Sequence, residues 1–237
     1  MKTIMSTARL AGLLYVLVAL LAPFVLLYVP GQLYVSGDAS ATVAKISANE
    51  PLFMASILVG LVSELLFVAV ILLLYRLLRG VDGTLAVVMV ALILLQVPLA
   101  FLGMANEVAT LQFIRGGDFL DVFTEPQRDA LAMFMINVDR QGVLISQVFW
   151  GLWLLPLGML LLQSRFVPRV LAIWLLLNGL AHVSLSVIGL VAPAYRTTAF
   201  NLATPLMFGE LALALWLLIM GVRQPAAAAQ SIEACDS

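Results

Sequence analysis

Long apolar runs separated by short polar segments dominate the chain. The runs fall at 10–29, 52–78, 84–114, 140–162, 168–191 and 201–222. Each reaches the roughly 20 residues that an α-helix needs to cross a hydrocarbon core about 30 Å thick. The pattern predicts an all-α polytopic fold of six membrane-spanning helices. It forms a single domain over 1–223, followed by a disordered tail over 224–237.

The polar segments supply the punctuation. Pro30-Gly31 closes the first run, and Asp38 is placed to cap a short helix from Ala39 to Ala48, with Pro51 marking the next entry. Gly80-Val81-Asp82-Gly83 makes a tight turn. Between Arg115 and Glu125, three acids (Asp118, Asp121, Glu125) alternate with Phe119, Leu120, Val122 and Phe123, which predicts a short interfacial helix. Thr124-Glu125-Pro126-Gln127 resembles a capping box. The helix it opens runs on to Leu162, too long for one crossing, so its first turns with Arg128 and Asp129 stand above the membrane. The third run also exceeds one crossing and must tilt or protrude. The first run, preceded by Lys2 and Arg9, is longer than the apolar core of a cleaved secretory signal and is expected to be retained.

Composition agrees with this pattern. Hydrophobic residues make up 63% of the chain and charged residues 11%, against roughly 25% charged in a soluble domain. Lipid must therefore solvate much of the exterior. A net charge of −1 points away from nucleic acid, and one cysteine, Cys235, excludes an intrachain disulfide. With both termini inside, the inner segments hold Lys2, Arg9, Arg76, Arg79, Arg165, Arg169 and Arg223. The outer segments hold Lys45, Arg115, Arg128 and Arg196, with Arg140 near the boundary. The positive-inside rule then places both termini in the cytoplasm and the short helices of the first and third loops outside it.

A charge in hydrocarbon costs about 2.5–3.5 kcal/mol on insertion scales, so each one calls for a partner or a cavity. Helical spacing puts Ser56, Gly60 and Glu64 on one face of the second span. The third span aligns Gln96, Ala100, Gly103, Glu107 and Thr110, and the fourth aligns Arg140, Leu144, Gln147, Gly151 and Gly158. The fifth aligns Asn178, His182, Ser186 and Gly189, and the sixth Ala203, Glu210, Ala214 and Gly221. Small residues beside the polar ones let helices approach closely. If all five stripes face one interior, they line an outward-opening polar pocket of Glu64, Gln96, Glu107, Arg140, Gln147, Asn178, His182 and Glu210, with Tyr15 as a neighbour. Plainer readings compete with this one. Asp139-Arg140 can snorkel at the interface, Gln96 and Asn178 can simply bond helix to helix, and His182 can be a hydrogen-bonded packing residue.

One histidine without a nearby cysteine makes no zinc site, and two-histidine haem ligation within the chain is impossible. No metal and no cofactor are expected. There is no G-x-S-x-G, P-loop or H-E-x-x-H. The expected partners are the lipid bilayer and a small-molecule or lipid ligand, and a homo-oligomer is compatible with the pattern. Three function classes remain open: a solute- or lipid-binding transporter, an intramembrane acid–base enzyme acting on a lipid, and a scaffold whose polar contacts are purely structural.

A set of ordered motifs adds a resemblance. It begins with Ala8-Arg9-Leu10-Ala11-Gly12, Gly37-Asp38-Ala39 with Thr42 and Ile46, and Leu74-Tyr75-Arg76-Leu77-Leu78. It continues with Val148-Phe149-Trp150-Gly151-Leu152, Leu157-Gly158, and Ser164 with Pro168-Arg169-Val170-Leu171. It ends with Gly209-Glu210-Leu211, Leu215-Trp216-Leu217-Leu218 and Gly221-Val222. Together these resemble a bacterial integral-membrane family, domain-of-unknown-function family 4386. The resemblance implies a multi-span protein of the bacterial plasma membrane and supplies no activity, so catalytic residues stay unknown. It places Glu210 inside a motif. Ala172 stands where the family pattern suggests glycine.

Overall fold

Each apolar run becomes a helix, and most helices outrun the apolar stretch that nucleates them. The computed structural model describes residues 2–222, with side chains from residue 4 onward, and the tail expected at 224–237 lies outside the described residues. Six helices are long and apolar enough to cross a membrane: Ile4–Leu33, Glu50–Leu78, Gly83–Arg115, Glu125–Ser164, Arg169–Val191 and Pro193–Ile219. No strand occurs among the described residues.

The first span comprises α1 (Lys2–Pro23), a wide π-turn over Phe24–Tyr28, and α2 (Val29–Leu33). Pro30 does not close this span as expected. It falls in the first turn of α2, where a missing N–H is harmless, and the chain becomes extended only at Tyr34. Next comes α3 (Ala39–Ala48), capped by the Asp38 carboxylate accepting from the Ala41 N–H at 2.9 Å. Thr42 ties it to the preceding strand-like segment, accepting from the Val35 N–H at 2.9 Å.

The next two spans are α4 (Glu50–Leu78) and α5 (Gly83–Arg115). In the turn between them Asp82 accepts from the N–H groups of Thr84 and Leu85 at 2.9 and 3.0 Å. A 3-10 turn at Asp118–Leu120 precedes α6 (Glu125–Leu152), where the Gln127 side chain accepts from the Thr124 N–H at 2.9 Å, half of the capping box. The fourth span then breaks at Trp153 and resumes as α7 (Leu154–Ser164). Pro156 explains the break, because it has no N–H to give the Leu152 carbonyl. A short turn through Arg165, in left-handed conformation at φ 55°, leads to α8 (Arg169–Val191). The last helix, α9 (Arg196–Ile219), opens earlier than position 201 because the Pro193–Tyr195 turn feeds straight into it.

The fourth and fifth spans lie deepest. Half of their most apolar windows is buried, against 17–22% for the other four, whose leucines must be solvated by lipid. Contacts divide the chain into two compact units. The first takes the described residues of Met1–Val16, Phe67–Leu95 and Gln147–Ser237, and the second takes Leu17–Leu66 and Gln96–Ser146.

The first unit is held by backbone-close contacts. A Cβ at Gly12 would strike α9 at the Leu218 amide and the Ala214 carbonyl. One at Gly151 would strike the Gly179 carbonyl and Val183 of α8. Dispersion between closely packed backbones and side chains supplies such cohesion where no hydrophobic effect acts between helices. The second unit has its own core of Val29, Leu33, Ile46, Phe53, Leu111 and Ile136.

Candidate functional site

In the first unit two helices, α1 and α8, bring polar groups onto one carboxylate of a third, α9. On α8, Asn178 and His182 stand four residues apart and so share a face. They are 0% and 5% exposed. On α9, Gly209 lies against the Trp174 ring, which an added Cβ would crowd at 3.3 Å, so the missing side chain lets the two helices approach at the level of Glu210. The Asn178 amide donates to Glu210 Oε1 at 3.2 Å. His182 Nε2 stands 3.7 Å from the same oxygen. From α1, the Tyr15 hydroxyl donates to Glu210 Oε2.

Aromatic packing fixes these groups. The Tyr15 ring lies 6.1 Å from Phe67 and 6.4 Å from Trp153, and those two meet edge-to-face at 5.4 Å. Trp150 meets the His182 ring edge-on at 6.1 Å. Two polar atoms nevertheless remain unmatched: Asn178 Oδ1 and His182 Nδ1 are buried and have no hydrogen-bond partner among the described residues.

The second unit carries two further polar sets. Gln96 of α5 offers a side-chain hydrogen bond to Glu64 of α4. Glu107, Asp139 and Arg140 lie close enough to Tyr34 to act on it electrostatically. Tyr34 lies just past the first span, and burial lifts its phenol above the usual range; Glu107 and Asp139 add to this and Arg140 opposes it. A Cβ at Gly103 would strike the Asp139 carboxylate, so α5 and α6 approach closely there.

The eight residues picked from the stripes therefore have distinct surroundings. Asn178, His182 and Glu210 meet within the first unit, and Gln147 is half-buried in it. Glu64 pairs with Gln96, while Glu107 and an exposed Arg140 each lie near Tyr34 in the second unit. Periodicity had singled out neither Trp150 nor Tyr34. Trp150 follows Gln147 by three residues and so shares its face, a signal the stripe contained. Tyr34 stands beyond the helix end, where periodicity has nothing to say. The exposed ion pair of Glu50 with Arg115 joins the ends of α4 and α5 and was likewise unforeseen. Among the described residues, no group of three or more histidine, cysteine or acidic side chains is placed to hold a metal.

A family model described as "Domain of unknown function (DUF4386)" matches residues 10–221. No curated protein and no solved structure matches the chain. The match covers most of the sequence, and the chain belongs to that family.

Proposed function

We propose that this DUF4386 member binds and moves a small solute or lipid headgroup bearing hydrogen-bond donors, at the site built on Glu210. One observation carries the reading: a carboxylate held by Tyr15 and Asn178 sits beside two buried atoms, Asn178 Oδ1 and His182 Nδ1, that nothing among the described residues satisfies. Leaving a buried polar atom unpaired costs about 1–3 kcal/mol. Asn178 turns its NH2 group to Glu210, which leaves its carbonyl oxygen, an acceptor only, as the unmatched atom. With the His182 Nε2 proton turned toward Glu210, Nδ1 also accepts. Acceptors around a carboxylate suit a donor-rich cation, such as an ammonium group on a free amine or on a phospholipid headgroup.

The test uses the full chain in phosphatidylcholine nanodiscs. Methylammonium and ethanolamine should raise the unfolding temperature. Tetramethylammonium, which carries the charge without an N–H, should not, and Glu210→Gln should abolish the response. A ligand at one hundred times its Kd stabilises by about 2.7 kcal/mol, well within detection. Nanodiscs with and without phosphatidylethanolamine separate a headgroup from a free amine. If wild type and Glu210→Gln respond alike to all three probes, the reading fails and the contacts are structural.

The 3.7 Å approach of His182 to Glu210 favours one second reading, acid–base catalysis on a lipid. It requires lipid turnover that His182→Gln and Glu210→Gln each abolish. For either reading we place the chain in a bacterial plasma membrane with both termini in the cytoplasm, on the support of the arginine distribution. Cys235 is the natural reporter: an impermeant maleimide should label it only after intact cells are permeabilised.

A further inference from the structure

Glu64 sits midway along α4, at a depth where an ionisable group is expensive unless something meets it. Its face of the helix is sparse. Ser56, two turns away, is buried. Gly60, one turn away, faces Met104 of α5 and Val25 of the first span, which a Cβ would meet at 3.5 and 3.9 Å. Neither neighbour brings a charge, and no ion pair reaches Glu64 among the described residues. The group that does reach it is Gln96, 3% exposed, through a side-chain hydrogen bond.

That contact leaves a specific deficit. Glu64 Oε1 and Gln96 Oε1 are both buried with no hydrogen-bond partner among the described residues. Two unmatched oxygens are too few for a hard metal ion, which takes about six or more oxygen ligands. One proton satisfies both: carried on Glu64 Oε1, it donates to Gln96 Oε1, while the amide N–H of Gln96 returns a bond to the carboxyl group.

We propose that Glu64 and Gln96 form a proton-binding pair inside the second unit, with the proton on Glu64 Oε1 shared to the Gln96 carbonyl. Loss of the proton leaves two desolvated acceptors and no donor between them, so the pair takes up or releases its proton as one unit. This site is independent of the Glu210 reading and stands or falls alone.

Infrared spectroscopy of the full chain in nanodiscs tests it. Wild type at neutral pH should show a protonated-carboxyl carbonyl band that shifts in heavy water. Glu64→Gln, nearly isosteric, should remove that band. Gln96→Leu should move it to the higher frequency of a carboxylic acid that has lost its hydrogen-bond partner. A spectrum unchanged by Glu64→Gln overturns the proposal, and so does a band that Gln96→Leu leaves in place. Should Glu64→Gln fail to fold, the heavy-water shift in wild type together with the Gln96→Leu displacement decides the question.

Discussion

Glu210 and Glu50 make the same kind of contact in opposite surroundings. Each carboxylate accepts a hydrogen bond, Glu210 from the Tyr15 hydroxyl and Glu50 from the Arg115 guanidinium. Glu50 and Arg115 are 32% and 51% exposed in their side chains, and Arg115 also reaches Met54. Glu210 is 23% exposed, and its other oxygen faces an asparagine and a histidine that solvent barely touches. Water competes for an exposed ion pair, and salt screens it. Around Glu210 little competes, so losing a partner strands the others. Partner count and burial, rather than formal charge, separate the two.

The comparison can be broken in four places, from the largest effect down. It depends first on α8 being held where it is. Gly151→Val forces a side chain into the Gly179 carbonyl and Val183, and should destabilise the chain by about 3 kcal/mol in an unfolding titration in micelles. Wild-type stability in that variant would mean the contact does not position Asn178 and His182. Glu210→Ala comes next. It strands the Tyr15 hydroxyl and the Asn178 amide together, and about 2 kcal/mol should be lost in the same titration. Tyr15→Phe removes one interhelical hydrogen bond and should lose about 1 kcal/mol, since such bonds in membranes average about 0.6 and reach about 1.7 kcal/mol. Arg115→Ala should be indistinguishable from wild type at moderate salt. If it unfolds more readily than Glu210→Ala, the contrast between the two carboxylates is mistaken.

The spans were legible because a membrane selects on length and apolar content, both of which are local. The Asp38 cap and the Thr124–Gln127 box were legible for the same reason: each closes within three residues. Helix faces were also readable, as Asn178 with His182 shows. Which faces meet was not. Tyr15 and Glu210 lie 195 positions apart, and Glu50 and Arg115 lie 65 apart, and no periodicity within one helix specifies its neighbour. Within one unit Glu64 meets Gln96, and within the other Glu210 meets Tyr15; neither pairing is written in the spacing of either helix.

Pro156 makes the fourth span two levers rather than one rod. The bond that would stiffen the join is absent at the Leu152 carbonyl, while Trp153 still bonds back to Phe149 at 3.2 Å and Leu157 to Trp153 at 3.3 Å. Torque arriving through Gln147–Leu152 can therefore be spent as rotation at Trp153 before it reaches α7. The indole at that joint lies 6.4 Å from the Tyr15 ring, so the compliant point of the helix is also the one that touches the residue gripping Glu210.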